Sequence, residues 1–325
     1  MLAYILRRLL YALPILIGVN LITFALFFVV NTPDDMARMQ LGVKRVTPEA
    51  IQKWKAERGY DRPLLWNEAA AGLDKATQTI FYAKSVRMFA FDFGRADDGR
   101  DIAREIGMRM GPSLAVALPV FVLGLFVTVS FALLLVYFRA TYLDFAGVVL
   151  CVAMMSVSGL FYIIGGQWLV SKVWHLVPIS GYAEGLDAAK FVILPVIVSI
   201  VGGIGSSARW YRTIFLEETG KDYVRTARAK GLSERAVLFG HVLKNAMIPI
   251  LTGVVVVIPT LFMGSLLIEA FFGIPGLGSY TIDAINAQDF AVVRAMVFIG
   301  SCLYILGLLL TDLSYTLVDP RVRLG

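Results

Sequence analysis

The sequence predicts an all-α polytopic membrane protein with six transmembrane helices, and three observations carry that expectation. Apolar residues make up 58% of the 325 residues and charged ones only 17%, too little polar surface to cover a water-soluble globule. Six charge-free apolar stretches occur, at about 9–30, 112–138, 145–171, 191–208, 246–268 and 295–311, and a spanning helix needs about 20 such residues. Finally, Lys and Arg are distributed unequally between alternate connections.

The first stretch, 9–30, follows Arg7 and Arg8 and precedes Asp34 and Asp35. It exceeds the roughly 7–15 residues of a signal-peptide core and lacks a small-x-small site after it, so it reads as a retained span. Segment 31–111 is the polar part of the chain, a set of loops and short helices without a core of its own. There Thr47 can cap a helix over Pro48–Arg58, with Glu49 in its first turn and Gly59 as its stop. Ile102, Ile106 and Met110 share one face of Asp101–Met110, which suits a helix lying at the membrane interface. The segment is either a structural cap on the bundle or a contact surface for an external partner or substrate.

The remaining spans are bounded by charge. Arg109 and Arg139 flank the second, Asp144 and Lys172 the third, Lys190 and Arg209 the fourth, Lys244 and Glu269 the fifth, and Arg294 and Asp312 the sixth. Six spans put both termini on one side together with connections 139–144 and 209–244, and these hold thirteen cations. Lys172, Lys190 and Arg294 are the only cations in the short connections opposite. The positive-inside rule therefore predicts cytoplasmic termini, a periplasmic segment 31–111 and a cytoplasmic tail 313–325. Segment 31–111 carries fourteen cations itself, but long connections translocate largely regardless of charge.

Within the cytoplasmic loop 209–245 the pattern is helix, glycine, helix. Asp222 can cap Tyr223–Lys230, Gly231 suits a left-handed stop, and Ser233 with Glu234 can open a second helix. Val237, Leu238, Val242 and Leu243 would give that helix an apolar stripe. From physics alone the loop is either a lever on the membrane face or a solvated connection.

Asp222–Ser233, reading Asp-Tyr-Val-Arg-Thr-Ala-Arg-Ala-Lys-Gly-Leu-Ser, resembles the EAA loop of permease subunits of binding-protein-dependent ABC importers. The general pattern runs Glu-Ala-Ala, three residues, Gly, nine residues, Ile-x-Leu-Pro. Counted from Gly231, only Ala227 and Leu243 are retained at its outer positions, while Arg225, Thr226, His241 and Lys244 depart. His241–Ala246 with Pro249 instead resembles the dipeptide/oligopeptide/nickel branch. So do Leu6-Arg7-Arg8-Leu9 with Pro14, Gly18 and Val19, Phe272–Gly278, and Asp319–Gly325. Asn31-Thr32-Pro33-Asp34 stands where that branch usually has Pro-Gly-Asp-Pro.

The resemblance implies a bundle of the type I ABC importer kind in a bacterial inner membrane. It implies a second homologous permease subunit, two cytoplasmic ATPase subunits holding ATP and Mg, a periplasmic or lipoprotein substrate-binding protein, and a peptide cargo, with nickel or glutathione as alternatives. Arg225, Thr226, Ala227, Arg228, Ala229, Lys230, Gly231 and Leu232 would form the ATPase-coupling segment. Ile274, Pro275, Gly276, Leu277 and Gly278 are either a re-entrant gate or a plain turn. Ser156, Ser158, Gln167 and Ser265 either line the path or allow close helix packing. Glu269, Asp283 and Asp289 would place negative charge near the path's entrance.

No G-x-x-x-x-G-K-[ST] stretch occurs, so ATP hydrolysis is not expected of this chain, and no cofactor or metal ligand set is expected either. Membrane lipid is an expected partner and nucleic acid is not. Spans free of carboxylates would argue against an ion-coupled carrier, which with an integral membrane enzyme is the alternative of a different class.

Overall fold

The computed structural model describes residues 2–42 and 46–318. Helices fill most of it, and no strand forms among the described residues. In chain order they are α1 (Leu2–Ala25), α2 (Pro33–Leu41), α3 (Pro48–Arg58), α4 (Asp74–Thr77), α5 (Ile80–Lys84), α6 (Ile102–Tyr137), α7 (Tyr142–Met155) and α8 (Gly159–Gly166). There follow α9 (Ala188–Thr219), α10 (Asp222–Ala229), α11 (Glu234–Val237), α12 (Leu243–Val255), α13 (Leu266–Phe272), α14 (Leu277–Asn286) and α15 (Phe290–Val318). The carboxyl-terminal match Asp319–Gly325 lies outside the described residues.

Among the described residues, five apolar helical stretches are long enough to cross a membrane: Leu10–Val30, Ile102–Tyr137, Gly185–Thr219, Glu234–Val255 and Phe290–Ser314. Two bent pairs, Tyr142–Met155 with Gly159–Val173 at 90° and Pro259–Phe272 with Leu277–Asn286 at 67°, raise the number to seven if each is one span. The six expected spans fall within that range, but several boundaries move. The third, expected straight over 145–171, breaks where the Ser156 hydroxyl donates to the Val152 carbonyl and Ser158 turns extended. The fifth, expected over 246–268, stops at Val255; Pro259, which has no N–H to donate, then opens a tighter turn and Gly264 takes φ +66°.

Two further boundaries were drawn at charges that do not end helices. Asp101–Met110 is not a separate interfacial helix, because α6 runs unbroken through it. Glu105 accepts from Arg109 one turn on, at 3.0 Å, and from Arg100 at 3.0 Å, so these charges are neutralised locally. Likewise α9 continues past Arg209 to Thr219, leaving far less loop than 209–245 suggested.

The described residues form two compact units, those within 1–109 with 280–309, and those within 110–279 with the described residues after 309. The first unit contains a core that segment 31–111 builds together with α1. Phe24 and Phe28 of α1 pack with Met36, Ala37, Ile51, Trp54, Tyr60 and Ile80. Helices α2 and α3 are set by their ends: Thr32 and Asp35 form a reciprocal capping box, and Thr47 accepts from the Ala50 amide. Gly59 ends α3 at φ +68°. Around Asp97 the Arg58 Nε donates at 2.8 Å, Gln40 donates from its amide, and Asp289 accepts from the Asp97 N–H at 2.7 Å.

In the second unit, α7, α8 and α9 pack closely. Gly205 of α9 lies where a Cβ would come within 2.7 Å of the Cys151 carbonyl oxygen of α7. Small residues at such crossings let two backbones approach where lipid supplies no hydrophobic drive.

Candidate functional site

The segment Asp222–Asn245 folds onto the second unit as two helical pieces with a glycine between them. Lys221 occupies the N-cap position of α10 without a side-chain bond, so Asp222 sits in the first turn rather than capping it. Gly231 takes φ +79°, the left-handed backbone that glycine adopts without strain. Ser233 accepts from the Ala236 amide and Glu234 starts α11. Val224 and Ala227 of α10 are buried with Phe215 of α9, Ala132, Leu133 and Val136 of α6, and Val237, Leu238 and Val242. Leu243 packs against the same cluster, completing the expected apolar stripe. Burying a side chain such as Val224 contributes roughly 1.5–3 kcal/mol, so α10 is fastened to the helices that lead into the membrane.

This packing divides the expected coupling residues. Arg225, Thr226, Arg228, Ala229, Lys230, Gly231 and Leu232 are exposed, whereas Ala227 is buried and holds α10 down. Arg228 is engaged within the chain, its Nε and Nη2 donating to Glu234 at 2.8 and 3.2 Å. At the other end of α10 the Tyr223 hydroxyl donates to Glu218. Burial first, and then that carboxylate, push the Tyr223 phenol up to about 12.

A groove runs through the second unit. Two cavities of about 320 and 310 Å³ share Val120, Phe121, Ser199 and Val257 and so form one channel-like depression. Its wall on α6 carries Ser113, Ala117, Gly124 and Thr128; on α9, Ser199, Gly203, Ser207 and Trp210; on α12, Pro249 and Gly253. Spacings of three and four residues place each set on one helical face. Thr260, Gly264, Ser265 and Glu269 line its other end. The walls are mainly apolar, with hydroxyls and small residues set among them, and Glu269 is the one charged residue among those lining it.

Beyond Gly264 the chain makes a hairpin of α13 and the start of α14. Ile274, Gly276, Leu277 and Gly278 are buried and Pro275 is exposed at the turn. Glu269, expected as charge at an entrance, is instead only 1% exposed. Its carboxylate accepts from the Ser265 amide at 3.2 Å and the Ser279 amide at 3.1 Å. Asp289 too is buried and accepts from the Asp97 and Val292 amides, leaving Asp283 exposed.

Of the four path candidates, Ser265 lies on the groove. Ser156 and Ser158 sit at the break between α7 and α8. Gln167 ties three segments, donating to the Ile179 carbonyl at 3.0 Å and the Phe271 carbonyl at 2.9 Å. The groove residues Ser113, Thr128, Ser199, Gly203 and Ser207 were not singled out from sequence. Their signal was there, small and hydroxyl residues recurring every three or four positions in charge-free spans.

A helical bundle with a groove between its helices and an anchored helix–glycine–helix element fits a membrane transport component. Comparison with known proteins agrees: residues 108–324 match the binding-protein-dependent transport system inner membrane component family. Residues 1–71 match the corresponding N-terminal membrane component. The chain belongs to this family and is a multi-pass inner membrane protein. It is 31% identical to the dipeptide transport system permease protein DppB of Escherichia coli K12, aligned over 99% of both chains. It is equally 31% identical to a putative peptide transport system permease of Brucella abortus, over 99% of each. A probable peptide ABC transporter permease of Sinorhizobium fredii is 31% identical over 98% of this chain.

Proposed function

We propose that this chain is the permease subunit of an ATP-driven importer of di- and oligopeptides, contributing half of the translocation path. The observation that carries the reading is the groove, apolar with hydroxyls set in its walls, in the same unit as α10, whose buried Val224 and Ala227 reach the core of the spans. Mainly apolar walls with hydroxyls among them suit a cargo with variable side chains and a polar backbone, and the relatives above are named for peptide transport. A second homologous permease completes the path, a periplasmic or lipoprotein binding protein delivers cargo, and two cytoplasmic ATPase subunits hold ATP and Mg and hydrolyse the nucleotide.

In this reading Arg225 and Lys230, exposed on α10 and beyond its end, meet the ATPase, while Val224 and Ala227 pass its movement to α6, α9 and α12. Both termini and 222–245 are cytoplasmic, and 31–111 is periplasmic. The Asp144–Arg212 contact supports 139–144 and the end of α9 lying on one face, since it joins the first turn of α7 to the part of α9 that follows Arg209.

Reconstitution tests this. The chain with its second permease, ATPases and binding protein is expected to accumulate radiolabelled trialanine in vesicles only with ATP. Accumulation by the isolated chain without ATP overturns the reading.

A further inference from the structure

We propose that Glu269 is a positioning residue for transport: it pins the hairpin of α13 and the start of α14 to α6, so that the hairpin travels with α6 as one wall of the groove. The proposal rests on the importer reading above.

The first turn of α14 is satisfied from two other helices. The Leu277 amide donates to the Ser113 hydroxyl of α6 at 2.8 Å. The Ser279 amide donates to Glu269 Oε2, and the Gly278 amide and the Ser113 hydroxyl bond the same carboxylate. On α13's own side the Ser265 amide donates to Oε1. Ser113 therefore accepts from α14 and donates to Glu269, which closes a loop of hydrogen bonds through α6, α13 and α14. The positive end of α14 adds to the attraction for a carboxylate.

The backbone is shaped around that side chain. A Cβ on Gly264 or on Gly276 would collide with the Glu269 carboxylate. One on Gly278 would come within 2.6 Å of the Ser265 carbonyl group. Gly264 and Gly276 thus leave the space the carboxylate occupies, and Gly278 lets α14 approach the Ser265 backbone. Glu269, Ser113, Gly264 and Ser265 all border the groove, so the pin lies in its wall.

A buried carboxylate that loses part of its donor set carries a heavy desolvation penalty. The hairpin consequently cannot peel away from α6 alone. Alternating access needs the wall to adopt two discrete arrangements, and the pin makes α6 and the hairpin change together. Without it the hairpin moves independently, and ATP is spent without cargo being committed.

The test uses the full complex in vesicles, with trialanine accumulated per ATP hydrolysed as one readout. The other is maleimide labelling of Pro275→Cys, in a background with Cys151 and Cys302 replaced by alanine. Glu269→Gln keeps the size but offers one acceptor oxygen and an amide donor facing N–H groups. It is expected to lower the transport ratio about tenfold and to speed labelling severalfold. Ser113→Ala, the milder change, should lower the ratio about two- to threefold, and Glu269→Asp should recover part of what Gln loses. An unchanged ratio and labelling rate in Glu269→Gln overturn the proposal. So does a loss of transport that only tracks the amount of assembled complex, with the ratio unaltered. If the unsubstituted complex fails to move trialanine, the peptide reading fails, while labelling still decides whether Glu269 pins the hairpin.

Discussion

Arg212 of α9 holds Asp144 at the start of α7 through two near-parallel hydrogen bonds, Nε to Oδ1 at 3.0 Å and Nη2 to Oδ2 at 2.8 Å. Asp144 is 7% exposed and also accepts from the amide of Ala140, a non-glycine residue at φ +63°. The pair joins α9, which leads directly into α10, to the turn between α6 and α7.

Removing the acceptor should therefore cost more than a surface ion pair. Asp144→Ala leaves the guanidinium short of its partner and frees the Ala140 turn, so a loss of about 2–3 kcal/mol is expected. Asp144→Ala with Arg212→Met should lose less than the sum of the two single changes. Thermal unfolding of the purified complex measures both; additive losses would show that the contact contributes nothing of its own.

At the coupling element, Gly231 and Ala227 are expected to fail for different reasons. Nothing lies within 4 Å of a Cβ built on Gly231, so the difficulty there is its φ of +79°. Gly231→Asn, whose side chain tolerates that region, should keep most transport, whereas the β-branched Gly231→Val should abolish it while membrane insertion persists. Ala227→Leu overfills a buried site and should destabilise by about 1–3 kcal/mol. Co-purification with the ATPases distinguishes them, and equal behaviour of Asn and Val at 231 would refute the backbone argument.

Two glycines two positions apart on α9, and so on opposite faces of it, make a sharper pair. A Cβ at Gly205 meets the Cys151 carbonyl oxygen at 2.7 Å, Met154 Cβ at 3.2 Å and the Met155 side chain at 3.2 Å, whereas one at Gly203 meets nothing within 4 Å. Gly205→Ala should force α7 and α9 apart and cost at least about 1 kcal/mol. Gly203→Ala should be neutral or slightly stabilising, since Ala favours a helix over Gly by up to about 1 kcal/mol. Melting temperatures of the two variants should move in different directions from the parent, or in one only; a larger drop for Gly203→Ala contradicts the packing assignment.

Legibility in the sequence followed the range of the interactions. Local signals translated directly: Thr47, Gly59, Gly231 and Ser233 sit at helix ends with the geometry their types imply. Charges were misleading as boundaries, because Arg104, Glu105 and Arg109 lie inside α6 and Arg209 and Arg212 inside α9. Neutralisation by a partner cannot be seen until the partner is adjacent, and Asp144 is 68 residues from Arg212. Glu269 was misplaced for the same reason: its donors include a residue on α6, 156 positions earlier by the numbers of Ser113 and Glu269. The groove was only partly readable, since Gly203 and Gly205 are the same residue type two positions apart and serve opposite faces of one helix.

Lys84 offers a prediction in pH. It is half-buried in the first unit, with its Nζ 5.1 Å from the Tyr60 ring centroid and its carbonyl accepting from Arg294. Burial first, then the positive charges of Arg294 and Arg62, lower its ammonium to about 8. An unfolded lysine titrates near about 10.4, so between these values the unfolded chain binds more protons than the folded one. Stability from this site therefore rises with pH across that window, and the cost of holding the charge is full below about pH 8. Lys84→Met, which fills similar space without charge, should raise the melting temperature most at pH 7 and progressively less toward pH 10. Acylation of Lys84 in the folded protein should reach half its maximal rate near pH 8. A stabilisation by Met that is constant from pH 7 to 10 would mean the ammonium is not strained by its surroundings.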